Sequence, residues 1–266
     1  MNRKRVVFKV GTSTLCHGGR GLNFRNIDGI ARALSDIRNE GYDVILVSSG
    51  AIGAGVGKLN LTERPSELRA KQAVAAVGQC ELVHIYDKFF GEYGITIGQI
   101  LLTRADISRA ASRANLVGTF EALLGMGIIP IVNENDSVAF EEIESEQKVF
   151  GDNDTLSAVV AGLVSAEKLV LLSDIDGLYD HDPNKSENAS LIPVVTEITS
   201  EIISLAGGAG SALGTGGMAT KIQAAIEGAK YGIETVIVNG SRIADIYAAV
   251  HGGSSGTRFC LAVPQH

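Results

Sequence analysis

Arg5-Val6-Val7-Phe8-Lys9-Val10 (RVVFKV) is a short apolar run near the start of the chain that is interrupted by one lysine. Further β-rich runs follow it: Asp43–Ser48 (DVILVS), Ile95–Leu102 (ITIGQILL), Ile128–Val132 (IIPIV), Lys168–Leu172 (KLVLL) and Glu234–Val238 (ETVIV). Strands this apolar are typical of sheets that are covered on both faces. RVVFKV therefore predicts a buried strand.

Between these runs, apolar residues repeat with the spacing of one helix face. The repeats are Ile27, Ile30, Leu34 and Ile37; Leu116, Val117, Phe120, Leu123 and Leu124; Leu156, Val159, Val160, Leu163 and Val164; and Ile222, Ala225, Ile226 and Ala229. Alternating strands and helices indicate crossover connections and a mainly parallel sheet. Because no Pro/Ser-rich linker divides the chain, we predict one α/β domain over residues 1–266, with helices on both faces of the sheet.

Composition excludes several classes of protein. The 266 residues are 45% hydrophobic, but no apolar run is long enough to span a membrane, and the opening MNRKRVVF is too short for a signal-peptide core. We therefore expect a cytoplasmic protein with no membrane partner. The formal net charge of −7 disfavours a nucleic-acid partner. The three cysteines and five histidines lie in no ligand spacing, so we expect no protein-held metal.

Two early segments are candidates for binding an anion. In a strand covered on both faces, the charge of Lys9 needs a carboxylate or a ligand phosphate as its partner. The second run ends in Ser48-Ser49-Gly50, which presents hydroxyls and free N–H groups where anions bind. For Lys9 the alternative is a strand at the edge of the sheet, which would tolerate the charge. For Ser48-Ser49-Gly50 the alternative is a tight turn between strand and helix, which explains the glycine but not both serines.

The stretch GTGGMATK, residues 214–221, is a third candidate. It fits neither the P-loop pattern nor the strand context of a dinucleotide fingerprint. The two glycines before Met218 allow close approach of the backbone, and a helix that begins there aims its N–H groups at a ligand. Lys221, one turn into that helix, adds a full charge. Taken alone, the segment leaves two interpretations open, a phosphate site or a flexible loop with a solvent-facing lysine.

Three polar clusters are candidates for a site. Two of them follow predicted strands, and the third opens a predicted helix. Asn133-Glu134-Asn135-Asp136 follows the fourth run, and Gly151-Asp152-Asn153-Asp154 opens a helix after an acidic segment at 137–150. Helix capping explains one or two of these residues but not two clusters. Carboxylates and amides suit a substrate ammonium or the orientation of catalytic lysines. Ser173-Asp174 starts a turn-rich segment and suits either a turn or a nucleoside site.

These groups belong at one site, because ligands of open parallel sheets bind beyond the carboxyl ends of the strands. Lysines and glycine-rich backbone lie on separate segments, with carboxylates nearby. Phosphoryl transfer needs such a set, since the protein must position two anions and neutralise charge.

Eight motifs, in this order, resemble the amino acid kinase family and cover essentially the whole chain. They are KVGTS (9–13), SSGAIGAG (48–55), AAVGQ (75–79), GQILLTRAD (98–106), NENDSV (133–138), GDNDTLSA (151–158), LLSDIDGLYDHDP (171–183) and GTGGMATK (214–221). The resemblance implies a three-layer α/β/α sandwich. Its most specific motifs are NENDSV, GDNDTLSA and GTGGMATK, which imply ATP-dependent phosphorylation of the γ-carboxylate of L-glutamate, the first step toward proline.

The resemblance also implies roles for single residues. Lys9 and Lys221 would flank the transferred phosphoryl group, and Asp154 would orient them. The residues implied to hold glutamate are Ser49, Gly50, Asp136 and Asn153. Those implied to contact the nucleotide, besides Lys9, are Ser173, Asp174, Thr215, Gly216, Gly217, Met218, Ala219, Thr220 and Lys221.

Further expectations rest on the resemblance. Mg²⁺ would arrive with ATP, bridging its phosphates. The chain would form a homo-oligomer, a dimer or tetramer, inhibited by proline, with regulation placed in the acidic segment at 137–150. Many bacterial relatives carry a C-terminal PUA domain, and we expect none here, because the sequence stops at His266. We also expect the reductase of the second step on another protein.

Two alternatives stay open. The first is another kinase of the family, acting on N-acetylglutamate, aspartate or UMP, against which NENDSV and GDNDTLSA speak. The second is a non-catalytic amino-acid sensor on the same fold, which would not need Lys9, Lys221 and Asp154 together.

Overall fold

The computed structural model describes residues 4–18, 21–138, 153–183, 185–186, 188–206 and 217–262. Its strands are β1 Arg5–Val10, β2 Asp43–Ser48, β3 Ile97–Leu102, β4 Ile129–Glu134, β5 Lys168–Ser173, β6 Val194–Val195, β7 Glu234–Asn239 and β8 Thr257–Phe259. Its helices are α1 Thr12–Leu15, α2 Phe24–Asn39, α3 Ala51–Lys58, α4 Leu68–Glu92, α5 Arg104–Ser108, α6 Ala110–Gly125, α7 Asn153–Leu163, α8 Ser200–Ala206, α9 Met218–Ala229 and α10 Ile243–His251.

In the described ranges the strands form one sheet in the order β3-β4-β2-β1-β5-β7-β8-β6. The RVVFKV strand, β1, lies inside the sheet and pairs in parallel with β2 and β5. Among the described pairs, only β7 and β8 run antiparallel. The mainly parallel sheet is confirmed, and the six predicted strands agree with the observed ones to within two residues at each end.

The two faces of β1 belong to two different layers of core. Val6, Phe8 and Val10 pack in one cluster with residues of α2, α4 and α10. Val7 packs in the other cluster, which contains residues of α6, α7 and α9. Since side chains alternate along a strand, Lys9 points to the same face as Val7. The three-layer α/β/α architecture is confirmed, and it directs Lys9 toward α7 and α9.

The longest helix of the described part, α4, was missing from the sequence prediction. Its buried face includes the small residues Ala75 and Gly78 beside Leu82 and Tyr86. A face built partly from alanine and glycine gives a weak apolar signal, so periodicity did not find it. Within the described ranges, none of the helices has the length and apolar character that a membrane span requires.

Helices α3 and α4 touch backbone to backbone. A Cβ atom at Gly78 would overlap the carbonyl oxygen of Ala51 and the amide nitrogen of Gly55. A Cβ atom at Gly55 would likewise overlap the carbonyl oxygen of Val74. Because α3 starts directly after Ser49-Gly50, this contact also fixes where those two residues lie.

We expect Gly78→Ala to lower the free energy of unfolding by about 2–3 kcal/mol, because the overlap with backbone atoms forces the two helices apart. The measurement is denaturant unfolding beside Gly118→Ala as a matched control. Gly118 is exposed in α6, and no described atom lies within 4 Å of its added Cβ, so its replacement should stabilise the fold by up to about 1 kcal/mol. Equal unfolding midpoints for Gly78→Ala and the wild type would contradict the close contact.

Candidate functional site

The site lies beyond the carboxyl ends of β1, β2, β4 and β5, where α7 and α9 begin. Several polar side chains are buried there: Lys9, Ser48, Asn133, Asp154, Ser173 and Lys221. Buried polar groups need partners, and these residues come from separate segments of the chain. The structure therefore collects at one sheet edge most of the residues that the sequence marked as candidates.

A carboxylate between two lysines forms the centre of the site. Asp154 is fully buried, and its Oδ1 lies 2.5 Å from Lys9 Nζ. Its Oδ2 lies 3.3 Å from Lys221 Nζ and accepts a hydrogen bond of 2.8 Å from Thr220 Oγ1. Of the two partners that the sequence allowed for Lys9, carboxylate or phosphate, the structure supplies the carboxylate. We call Lys9, Asp154 and Lys221 the lysine clamp.

The charges of Lys9 and Lys221 stabilise the ionised form of Asp154. Burial alone would raise the pKa of Asp154, but the charges of Lys9 and Lys221, with the hydrogen bond from Thr220, outweigh it and hold the pKa below its usual value. Asp154 therefore stays ionised, and both ammonium groups are held on one side of the sheet edge. An ammonium group has three N–H donors, so Lys9 and Lys221 can each bind a phosphate oxygen while they pair with Asp154.

The first turn of α9 completes this half of the site. Gly217 is its N-cap residue and has no side chain to cap the helix, and within the described residues an added Cβ there would meet nothing within 4 Å. Backbone N–H groups at the start of a helix have no partner within that helix and can bind an anion. Of the predicted nucleotide residues, Met218, Ala219 and Thr220 lie in this turn with Lys221, whereas Thr215 and Gly216 lie outside the described residues.

A chain of amides and a hydroxyl forms the second half of the site. Asn153 Nδ2 donates to Ser49 Oγ at 2.8 Å and to Asn133 Oδ1 at 3.2 Å. Asn133 Nδ2 donates to Gln79 Oε1 at 2.8 Å. Among the described residues, no hydrogen-bond partner reaches the buried Oδ1 of Asn153. We call Ser49, Asn153, Asn133 and Gln79 the amide chain. Gly50, which follows Ser49, caps α3 with a left-handed backbone at φ 98°.

Two acidic side chains lie next to the amide chain. Burial raises the pKa of Asp136, against the opposing charge of Arg64. Burial, with the nearby charge of Asp136, raises the pKa of Glu134 to about 7. Asp136 and Glu134 are thus two carboxyl groups close together in partly buried positions, a setting that favours a cationic ligand group.

The raised pKa of Glu134 predicts how stability depends on pH. In the unfolded chain Glu134 ionises at its usual value, and in the folded chain only near pH 7, so folding stability falls as pH rises between these values. We expect Glu134→Gln to remove about 1–2 kcal/mol of this fall, after allowance for the screening of a partly exposed group. Thermal unfolding from pH 4.5 to 8 tests it, and parallel curves for variant and wild type would contradict it.

The end of β5 supplies a third part of the site. Ser173 is buried and its Oγ donates to Asp174 Oδ1 at 3.2 Å, whereas Asp174 itself is exposed. Asp176 accepts hydrogen bonds from Asn239 at 2.8 Å and Arg242 at 2.9 Å. The segment after β5 consists of turns in its described part, as the sequence predicted. Positions 139–150 of the acidic segment lie outside the described residues.

Sequence reasoning found the lysine clamp but missed half of the amide chain. The sequence places Gln79 in the motif AAVGQ without indicating a role for it, and it indicates Asn133 only as part of a polar cluster. No spacing rule links Gln79 to Asn133, which is 54 residues away. The one available signal was a glutamine on the end of a small-residue run.

The sequence that builds this site matches a known protein family. Residues 4–239 match the amino acid kinase family. The chain belongs to this family. The matched residues include both lysines of the lysine clamp and the whole amide chain.

This amino acid kinase has close relatives over nearly its full length. It is 55% identical over 258 residues to the glutamate 5-kinase of Clostridium acetobutylicum, covering 97% of this chain and 95% of that protein. It is 51% identical over 256 residues to the glutamate 5-kinase of Clostridium perfringens, covering 96% and 95%. A solved isopentenyl phosphate kinase aligns with a TM-score of 0.66 at 19% identity, covering 96% of this chain and 99% of that chain, which shows the fold alone.

Proposed function

We propose that the chain transfers the γ-phosphoryl group of ATP to the γ-carboxylate of L-glutamate and forms γ-glutamyl phosphate, the first step of proline biosynthesis. The observation that carries the proposal is the lysine clamp lying next to the amide chain. The lysine clamp can hold a transferring phosphoryl group, and the amide chain suits a small amino acid. The two glutamate 5-kinases that match nearly the whole chain support the choice of substrate.

The chemistry requires little of the protein beyond position and charge. An oxygen of the γ-carboxylate attacks the γ-phosphorus, the bond to the bridging oxygen of ADP breaks, and ADP leaves with that electron pair. Because the attacking carboxylate is already ionised, no general base is needed. Lys9 and Lys221 neutralise charge on the phosphoryl oxygens, and Asp154 holds their ammonium groups in place.

The described residues suit ATP directly, and they suit Mg²⁺ through the phosphates of ATP. The N-terminus of α9 can accept phosphate oxygens, and Ser173 and Asp174 stand where a nucleoside can lie. In the described part of the chain, no three His, Cys, Asp or Glu residues cluster as a metal site, and both Asp154 oxygens face lysines. Mg²⁺ held by the phosphates of ATP supplies additional neutralisation when bound.

The amide chain and the acidic side chains beside it suit the α-ammonium and α-carboxylate groups of glutamate. Ser49 and the N–H groups that follow Gly50 can hold the α-carboxylate. Asp136 and the Oδ1 of Asn153, which has no hydrogen-bond partner among the described residues, can hold the α-ammonium. The γ-carboxylate then points toward the lysine clamp.

The proposal includes a cellular setting and an assembly. It comprises one kinase domain, a cytoplasmic location, a homo-oligomer of two or four chains, and inhibition by proline. It includes neither a nucleic-acid nor a membrane partner, in keeping with the net charge of −7. The oligomer and the inhibition by proline rest on the resemblance, and sedimentation and assays with added proline test them.

A substrate panel tests the proposed activity. With MgATP, the purified chain should release ADP on addition of L-glutamate, and hydroxylamine should trap an acyl phosphate. N-acetylglutamate, aspartate and UMP form the panel, and reactions without acceptor are the control. Activity with UMP or N-acetylglutamate and none with L-glutamate would refute the assignment. Binding of L-glutamate without ADP release would favour the amino-acid sensor.

A further inference from the structure

The amide chain has a fixed direction that reaches back to α4. We propose that Gln79 is a positioning residue that sets which end of the Asn153 amide faces the substrate, so that the site selects a free α-ammonium group. The inference rests on the proposed function. It concerns a residue that contacts no substrate itself and acts through Asn133.

The direction of the amide chain starts from a backbone group. The N–H of Glu134 can only donate, and it lies 2.9 Å from the amide oxygen of Asn133. The other end of that amide, Nδ2, is therefore a donor, and it needs an acceptor. Gln79 Oε1, at 2.8 Å, is that acceptor. Gln79 thus holds Asn133 in one of its two orientations.

The orientation of Asn133 determines that of Asn153. With its oxygen already directed by the Glu134 N–H, Asn133 can only accept from Asn153, so Nδ2 of Asn153 faces it at 3.2 Å. The second hydrogen of that Nδ2 goes to Ser49 Oγ at 2.8 Å. Both donor hydrogens are used, and the Oδ1 of Asn153 is left as a buried acceptor.

A buried acceptor without a partner is costly, and a donor from the ligand relieves that cost. Among the described residues, none donates to Asn153 Oδ1. Ser49 Oγ accepts from Asn153, and within the described part of the chain no acceptor is recorded for its own hydrogen, which can therefore go to a ligand oxygen. The pair therefore offers one acceptor and one donor side by side, the complement of an ammonium and a carboxylate on one carbon. An N-acylated amino acid has lost the ammonium, and a plain dicarboxylate lacks it.

Three substitutions at Gln79 test this. Gln79→Met keeps the length and removes the carbonyl acceptor, whereas Gln79→Glu keeps an acceptor oxygen. Gln79→Leu repeats the comparison if the methionine variant does not fold. The substrates are L-glutamate and glutarate, which differ only in the α-ammonium group, and kcat and KM are measured for both, with Tm as a check on folding.

We expect Gln79→Met to lower kcat/KM for L-glutamate about tenfold, mainly through KM, the scale of one lost hydrogen bond to a charged group. Glutarate should keep its kcat/KM, so the ratio of the two substrates falls, and Gln79→Glu should restore that ratio. An equal loss on both substrates would mean that Gln79 is merely structural, and no loss on L-glutamate would overturn the positioning role. A wild type that neither binds nor phosphorylates L-glutamate overturns the proposed function as well, whereas an active wild type with an unaffected variant overturns this inference alone.

Discussion

Replacing Lys221 with alanine should lower kcat by about a hundredfold or more, the scale of losing one transition-state charge donor. Lys221 is buried in the first turn of α9, and its Nζ lies 3.3 Å from Asp154, which also holds Lys9. The alanine variant would keep the turn of α9 but lose half of the positive charge that meets the phosphoryl oxygens. Because that charge is needed most when the β–γ bond breaks, the effect should appear in kcat.

The measurement is steady-state ADP release with L-glutamate and ATP each varied in turn. Lys230→Ala is the matched control, since Lys230 lies at the other end of α9, is exposed, and pairs with Glu227 on the surface. Its kinetics should equal those of the wild type. A Lys221→Ala variant whose only change is a higher KM for L-glutamate would remove Lys221 from phosphoryl transfer.

The sequence predicted those parts of the molecule that depend on local pattern. Apolar runs predicted β1 and β2 with the bounds that the structure has, and the lone lysine in RVVFKV predicted that a buried charge would need a partner. The polar cluster at 151–154 marked Asp154 as a candidate, but only the resemblance paired it with Lys9, because nothing local links a strand near residue 9 to a helix near 154. Parallel topology brings them together, because the carboxyl ends of the parallel strands lie at one edge of the sheet.

The remaining features depend on contacts that no sequence pattern encodes. The direction of the amide chain depends on a backbone N–H at Glu134 and on an acceptor from α4, a helix that periodicity missed. The raised pKa of Glu134 depends on burial, which the sequence NEND does not show. Patterns thus predict which elements form, whereas protonation and amide orientation arise from packing between them.

The second large effect concerns stability. Asp154→Ala should lower the free energy of unfolding at pH 7 by about 3–5 kcal/mol, because it leaves two buried ammonium groups without the carboxylate that lies between them. The matched control is Glu227→Ala, which breaks an exposed pair with Lys230 and should cost less than about 1 kcal/mol. Denaturant unfolding of both variants gives the comparison.

The dependence on pH and a triple variant separate charge from packing. The lowered pKa of Asp154 means that its contribution is fully present above the unfolded value, near 3.8, and is lost as pH falls through the folded pKa. The deficit of Asp154→Ala should therefore shrink in acid. Replacing the whole lysine clamp by apolar residues of similar size, Lys9→Met with Asp154→Leu and Lys221→Met, should recover most of the stability and no activity, since well-packed apolar groups often match a buried ionic cluster. If the triple variant is as unstable as Asp154→Ala, the lost stability comes from packing around α7 and not from unpaired ammonium groups. The lysine clamp would then serve packing as well as phosphoryl transfer.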